Sequence, residues 1–124
     1  MNQRVLIVED QEDNRAILRD LLGNAGYDLI EATNGEEGVA LAESKRPDLI
    51  LMDVQLPVLD GYEATRRIRL NAALKSIPII AVTSYALSGD EAKARAAGCD
   101  AYVAKPFSPR QLLAKIRAYL PTGV

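Results

Sequence analysis

Leu49-Ile50-Leu51-Met52-Asp53 decides the fold. Four apolar residues in a row, with no polar alternation, read as a strand covered on both faces, which is the habit of a parallel sheet. The run closes on a carboxylate, at the point where a buried strand emerges from its sheet. An earlier run, Val5-Leu6-Ile7-Val8, ends the same way, in Glu9-Asp10. In a parallel sheet both strand ends open onto one edge. The carboxylates gathered there repel one another unless a cation joins them, so the pattern implies a metal and a reason for holding it.

Working outward, short apolar runs alternate with longer helical patterns. Residues 4–8, 27–32, 48–52, 77–83 and 101–104 read as strands. Between the first two, Ile17, Leu18, Leu21 and Leu22 keep helical spacing until the Gly23-Asn24-Ala25-Gly26 breaker; Leu112, Leu113, Ile116 and Leu120 repeat the pattern near the end. Helix starts are signed by Asn34 with Glu37, Ser88 with Glu91, and Ser108 with Gln111, each a cap residue three positions before Glu or Gln. Pro109 fits a first helical position, and Gly98 fits the stop of the fourth helix. The order is βαβαβαβαβα. Right-handed crossovers turn it into an open, doubly wound α/β sheet with helices on both faces. Ligands of such sheets bind outside the strand carboxyl ends, where the strand order reverses. With the order 2-1-3-4-5, that switch falls between the first and third strands, the two that end in acids.

Composition narrows the function. A chain of 124 residues and 13.5 kDa is expected to be one domain over 1–124, with its core over about 3–120. Basic and acidic residues number 15 and 17, for a net charge of −2, and neither sign forms a long run. That argues against direct nucleic-acid binding and against a polybasic membrane anchor. Cys99 is the only cysteine, so no internal disulfide forms and a reducing compartment is expected. Between small neighbours it reads as a packed thiol. The absence of histidine excludes a Ser-His-Asp triad, a His-ligated zinc site and a phosphohistidine carrier. No apolar stretch approaches the roughly 20 residues that span a bilayer, and no signal peptide precedes Val5. A soluble, cytoplasmic protein is the expectation.

Glu9 and Asp10 alone could simply solvate a loop or cap the next helix. Asp53 closes a buried run and must be satisfied by a partner. Together they match a divalent site with few protein ligands, which is how magnesium is held; calcium is disfavoured because no EF-hand spacing occurs. Magnesium held this way commonly takes a phosphate oxygen as its remaining partner. Thr83, ending the fourth strand, offers a hydroxyl, and Lys105, just after the fifth, offers an ammonium to the same edge. Each alone is an ordinary strand-end residue. With acids, hydroxyl and ammonium all at strand carboxyl ends, Asp53 becomes a nucleophile toward a phosphoryl group. No glycine-rich nucleotide loop is present.

Val8-Glu9-Asp10, Leu51-Met52-Asp53 followed by Pro57 and Gly61, Val82-Thr83-Ser84 and Ala104-Lys105-Pro106-Phe107 resemble the response regulator receiver domains of two-component signalling, and the resemblance covers essentially the whole chain. Residues 60–69 look like receivers attached to hybrid kinases and their stand-alone relatives of the DivK type. The resemblance implies a flavodoxin-like fold with five parallel strands in the order 2-1-3-4-5 and five helices. It implies a phosphoacceptor with at most slow self-dephosphorylation, taking phosphate on Asp53 from a histidine kinase or histidine phosphotransfer protein. It further implies magnesium on Asp10 and Asp53, with Glu9 acting through water and Gln55 contributing its backbone carbonyl. Thr83 and Lys105 would hold phosphoryl oxygens, Tyr102 would rotate with the state of Thr83, and Lys105-Pro106 would be a cis peptide.

Two rival functions fit the same residues: a magnesium-dependent aspartyl-phosphate phosphatase, and a degenerate receiver that binds partners without phosphorylation. Against the first, hydrolases of the haloacid dehalogenase class carry a second Asp two residues after the nucleophile. Here that position is Gln55, which cannot transfer a proton. After the last helix only Pro121-Thr122-Gly123-Val124 remains, so output is expected through contacts of the fourth helix, fifth strand and fifth helix, including an exposed Tyr119, by a monomer or weak dimer. The Met1 start and short tail favour a complete protein over an excised domain.

Overall fold

Every apolar run read as a strand forms one: β1 (Arg4–Val8), β2 (Asp28–Ala32), β3 (Leu49–Asp53), β4 (Ile79–Thr83) and β5 (Ala101–Ala104). The computed structural model describes residues 3–56, 59–83, 90–105 and 107–120. The expectations for Pro57, Ser84, Ser88, Pro106 and the tail 121–124 lie outside the described residues. All pairings are parallel, and the order is β2-β1-β3-β4-β5. The switch in strand order therefore lies between β1 and β3, the two strands that lead into the acids.

The helices between them are α1 (Glu12–Asn24), α2 (Gly35–Lys45), α3 (Gly61–Leu70), α4 (Asp90–Ala97) and α5 (Pro109–Tyr119), with a short 3-10 turn over Ala72–Leu74. The caps work as their chemistry dictates. Asn34 accepts from the Glu37 N–H at 2.8 Å and Ser108 from the Gln111 N–H at 3.0 Å, each filling one of the unpaired donors of a first helical turn. Pro109 opens α5 directly after its cap. Gly98 follows α4 at φ +110°, a left-handed position that ends the helix cheaply only for glycine.

Strand parity divides the core in two. Val5, Ile7, Leu49 and Leu51 face α1 and α5, where they meet Leu18, Leu22, Leu112 and Ile116. Leu6, Val8, Ile50 and Met52 face α2, α3 and α4, where they meet Ala42, Ile68 and Ala94. Each fully buried side chain of this size contributes about 1.5–3 kcal/mol before entropy is counted. Burial on both faces holds for β3 and β4 throughout and for β1 after Arg4, but not for β2 and β5, which are half-exposed because each has one neighbour only. Ile17 also departs from expectation. It keeps helical spacing with Leu18 and Leu22 yet is 59% exposed, since α1 turns only a narrow stripe to the sheet.

Candidate functional site

β1 and β3 are neighbours with Val8 opposite Met52, so the residues that follow, Glu9 and Asp53, leave the sheet side by side. Both are buried, at 3% and 4% exposure, while Asp10 is exposed. Carboxylate oxygens of Glu9, Asp10 and Asp53 lie within 4.8 Å of one another. This is a set of hard oxygen donors, two walled in and one open to solvent, and it fits a divalent cation that keeps part of its water.

A cation from the protein already reaches the same place. Lys105 follows β5, and its Nζ lies 3.1 Å from Glu9 Oε1 and 3.4 Å from Asp53 Oδ2. Backbone donors complete the cradle: the Gln11 N–H reaches Glu9 Oε2 at 3.2 Å, and the Gln55 N–H reaches Asp53 Oδ1 at 3.0 Å. Burial and the adjacent Glu9 charge push the Asp53 pKa up to about 6, more than the Gln55 N–H and Lys105 pull it down. For Glu9 burial pushes upward too, but the Gln11 N–H and Lys105 outweigh it and hold the acid below its ordinary value. Lys105 is penalised by burial, yet the two carboxylates keep its pKa above that of a free lysine. Lys105 thus stands between two buried carboxylates, and Asp53 is the one whose pKa burial drives up.

Asp53 is also held from behind. The amide of Gly61, at the start of α3, donates to the Val54 carbonyl at 3.0 Å. A Cβ at Gly61 would strike the Asp53 carbonyl oxygen and come within 2.8 Å of the Val54 Cα, so only glycine lets α3 approach this closely. Asp60 caps that helix by accepting from the Glu63 N–H at 2.9 Å, a cap not singled out in the sequence although its spacing is the usual one.

Thr83 reaches the same sheet edge at 1% exposure, and its carbonyl accepts from the Lys105 N–H at 2.6 Å. It shares parity with Ile79 and Ala81, which belong to the core under α2, α3 and α4. Tyr102 lies opposite Ala81, is half-buried and packs against that same core. Asp53, Glu9 and Lys105 instead continue the parity of Leu51, Ile7 and Val103, on the side of α1 and α5. There they line a cleft of about 520 Å³ whose walls include Asn14, Ile17, Leu18 and Phe107. The sequence reading missed Asn14 and the wall formed by Ile17, and it missed Arg15, whose Nη1 donates to the Glu9 carbonyl at 2.9 Å. Helical spacing placed Ile17 in the core, and Arg15 carried no local signal.

A model of the response regulator receiver domain matches residues 5–117. The chain belongs to this family. Polar-differentiation response regulators DivK of Brucella anthropi and Brucella abortus are 46% and 44% identical to it over 120 residues, 97% of this chain and 98% of each relative. Among solved structures, the receiver domain of a sensor histidine kinase of Pseudomonas aeruginosa superposes with a TM-score of 0.91 at 39% identity, over 98% of this chain and 100% of that one. That crystal structure has a magnesium ion coordinated in its active-site cleft. Chemotaxis protein CheY4 of Vibrio cholerae superposes with a TM-score of 0.91 at 30% identity, over 96% and 99% of the two chains. This receiver domain is thus DivK-like, with an acidic cluster at the edge where its sheet order reverses. No helix among the described residues is long and apolar enough to cross a membrane.

Proposed function

We propose that this receiver domain takes a phosphoryl group on Asp53 from the phosphohistidine of a histidine kinase or histidine phosphotransfer protein. The observation that carries the reading is the convergence on one carboxylate, Asp53, of two further acids and one ammonium at the strand carboxyl edge. An oxygen of Asp53 forms a bond to phosphorus as the phosphorus–nitrogen bond of the donor breaks, and the imidazole keeps the electron pair. The donor ring carries a proton on its other nitrogen, so the products are an acyl phosphate and a neutral histidine. Asp53 must be ionised to attack, and its pKa of about 6 leaves it mostly so at neutral pH.

Asp10 and Asp53 would hold magnesium directly, with the Gln55 backbone carbonyl, and Glu9 would act through water. The ion would offset the negative charge brought together by the phosphoryl group and the carboxylates. Lys105, now between Glu9 and Asp53, supplies a positive charge that can pass to a phosphoryl oxygen as the Asp53 carboxylate becomes an ester-like anhydride. The Thr83 hydroxyl holds another phosphoryl oxygen and, by turning toward it, gives Tyr102 room to rotate. Gln55 offers no proton-transferring side chain two residues after Asp53, so the acyl phosphate persists long enough to signal. This favours a phosphoacceptor over a phosphatase that turns over its substrate.

Output then passes through the face built by α4, β5 and α5, where phosphorylation shifts an existing equilibrium between two arrangements. The reading places the whole chain in one cytoplasmic receiver domain that acts by protein contact, as a monomer or weak dimer. Incubation with magnesium and a small acyl-phosphate donor should give a phosphorylated, hydroxylamine-labile species by mass spectrometry, absent from Asp53→Asn. Failure of the folded wild-type protein to label, with magnesium present, overturns the reading.

A further inference from the structure

Arg15 lies on the first turns of α1, away from the acids in sequence but against them in space. Its side chain is 12% exposed, and its guanidinium is committed on three sides. Nη1 donates to the Glu9 carbonyl at 2.9 Å, Nη2 pairs with Glu12 at 2.6 Å, and Nε lies 3.5 Å from Glu31 of β2. The carbonyl it grips belongs to the peptide joining Glu9 to Asp10. On the other side of Glu9, the backbone N–H donates to the Ala32 carbonyl at 3.0 Å. The chain is thus pinned before and after Glu9, and the plane of the peptide leading into Asp10 is fixed. Asp10 needs this, because none of the described residues holds its exposed carboxylate by a hydrogen bond or an ion pair; its position is inherited from the backbone.

We infer that Arg15 is a positioning residue for the metal site, holding the Glu9–Asp10 peptide so that the Asp10 carboxylate is already aimed at the ion. The inference rests on the metal site proposed above. Arg15 contributes no ligand. Its charge is largely matched by Glu12 and Glu31, so its effect runs through geometry more than through the field at the ion. A planar fork with several donors suits this task, since it can grip a carbonyl and two carboxylates at once.

Arg19 supplies the control. It pairs with the same acids, Glu31 at 2.7 Å and Glu12 at 3.3 Å, without touching Glu9. Mn2+ serves as probe, its free fraction followed by electron paramagnetic resonance, with Mg2+ as competitor. Arg15→Met is expected to weaken Mn2+ and Mg2+ binding about tenfold, the usual effect of losing an outer-sphere support. Arg19→Met should bind within about twofold of wild type. Should Arg15→Met fold poorly, Arg15→Gln, polar but too short to reach the carbonyl, carries the same expectation. Unchanged affinity in a folded Arg15 variant overturns the inference, and so does an equal loss in Arg19→Met, which would mark a merely structural network. Absence of Mn2+ binding by the wild-type protein would instead overturn the metal site itself.

Discussion

At the scale of single residues, Asp53 carries its charge at a cost. Its pKa rises from 3.8 to about 6, with burial as the leading cause. A folded-state pKa above the unfolded one means the folded protein binds the proton more tightly. Stability from this group therefore increases as pH falls from about 6 toward about 4, and the full penalty stands above about 6. Asp53→Asn removes the penalty, so in the presence of a chelator it should be more stable than wild type at neutral pH by on the order of 1–3 kcal/mol. The gap should close as pH nears 4, and urea midpoints across that window measure it. A wild-type protein at least as stable as the variant at neutral pH, without metal, contradicts this account. The acid itself was legible because a carboxylate that ends an apolar run is costly to bury without a partner. The shift was not, since it depends on how deeply Asp53 sits and on Lys105 arriving from the far end of the chain.

At the scale of elements, local signals were read well and long-range ties were not. Asn34, Ser108, Pro109 and Gly98 mark boundaries because capping is chemistry within one turn. Arg69 shows the other case. It lies in the last turn of α3, and its guanidinium donates to the carbonyls of Gly98 at 2.9 Å, Leu74 at 3.0 Å and Ile77 at 2.8 Å, and to the Asp100 carboxylate at 2.9 Å. Asp100 in turn accepts from the Ile79 N–H at 2.9 Å, and its carbonyl accepts from the Tyr119 hydroxyl at 3.1 Å. One side chain thereby ties α3 to the turn ending α4 and to the starts of β4 and β5, across sequence separations no periodicity encodes. Arg69→Met would leave several half-buried acceptors without donors, and should cost roughly 2–4 kcal/mol by urea unfolding. The clamp lies at the strand starts, opposite the acidic edge, so Asp53 should still label. Loss of labelling in a folded variant, or stability within about 0.5 kcal/mol of wild type, would refute the clamp.

For the whole molecule, the parallel order β2-β1-β3-β4-β5 does more than gather acids at one edge. Parity sends Glu9, Asp53 and Lys105 toward α1 and α5, and sends Thr83 and Tyr102 toward α2, α3 and α4. On the reading of Asp53 as phosphoacceptor, the sheet separates a reacting side, which holds Asp53, from the side that holds Tyr102, and Thr83 closes β4 on the Tyr102 side. Element order and burial made the sheet legible in the sequence. This division was not, because it needs the register of each strand, and one residue of slip would exchange the faces. It has a consequence. Tyr102 touches the core beneath α4 and does not line the cleft of Asp53, so Tyr102→Ala should still accept phosphate. What it should lose is the response. In wild-type protein, phosphorylation is expected to change amide hydrogen exchange in α4 and β5 while leaving the α1 interior alone, and in Tyr102→Ala most of the α4 change should vanish. If both proteins label alike and α4 responds alike, Tyr102 is no part of the route. If α1 responds in place of α4, the signal leaves through the reacting side of the sheet.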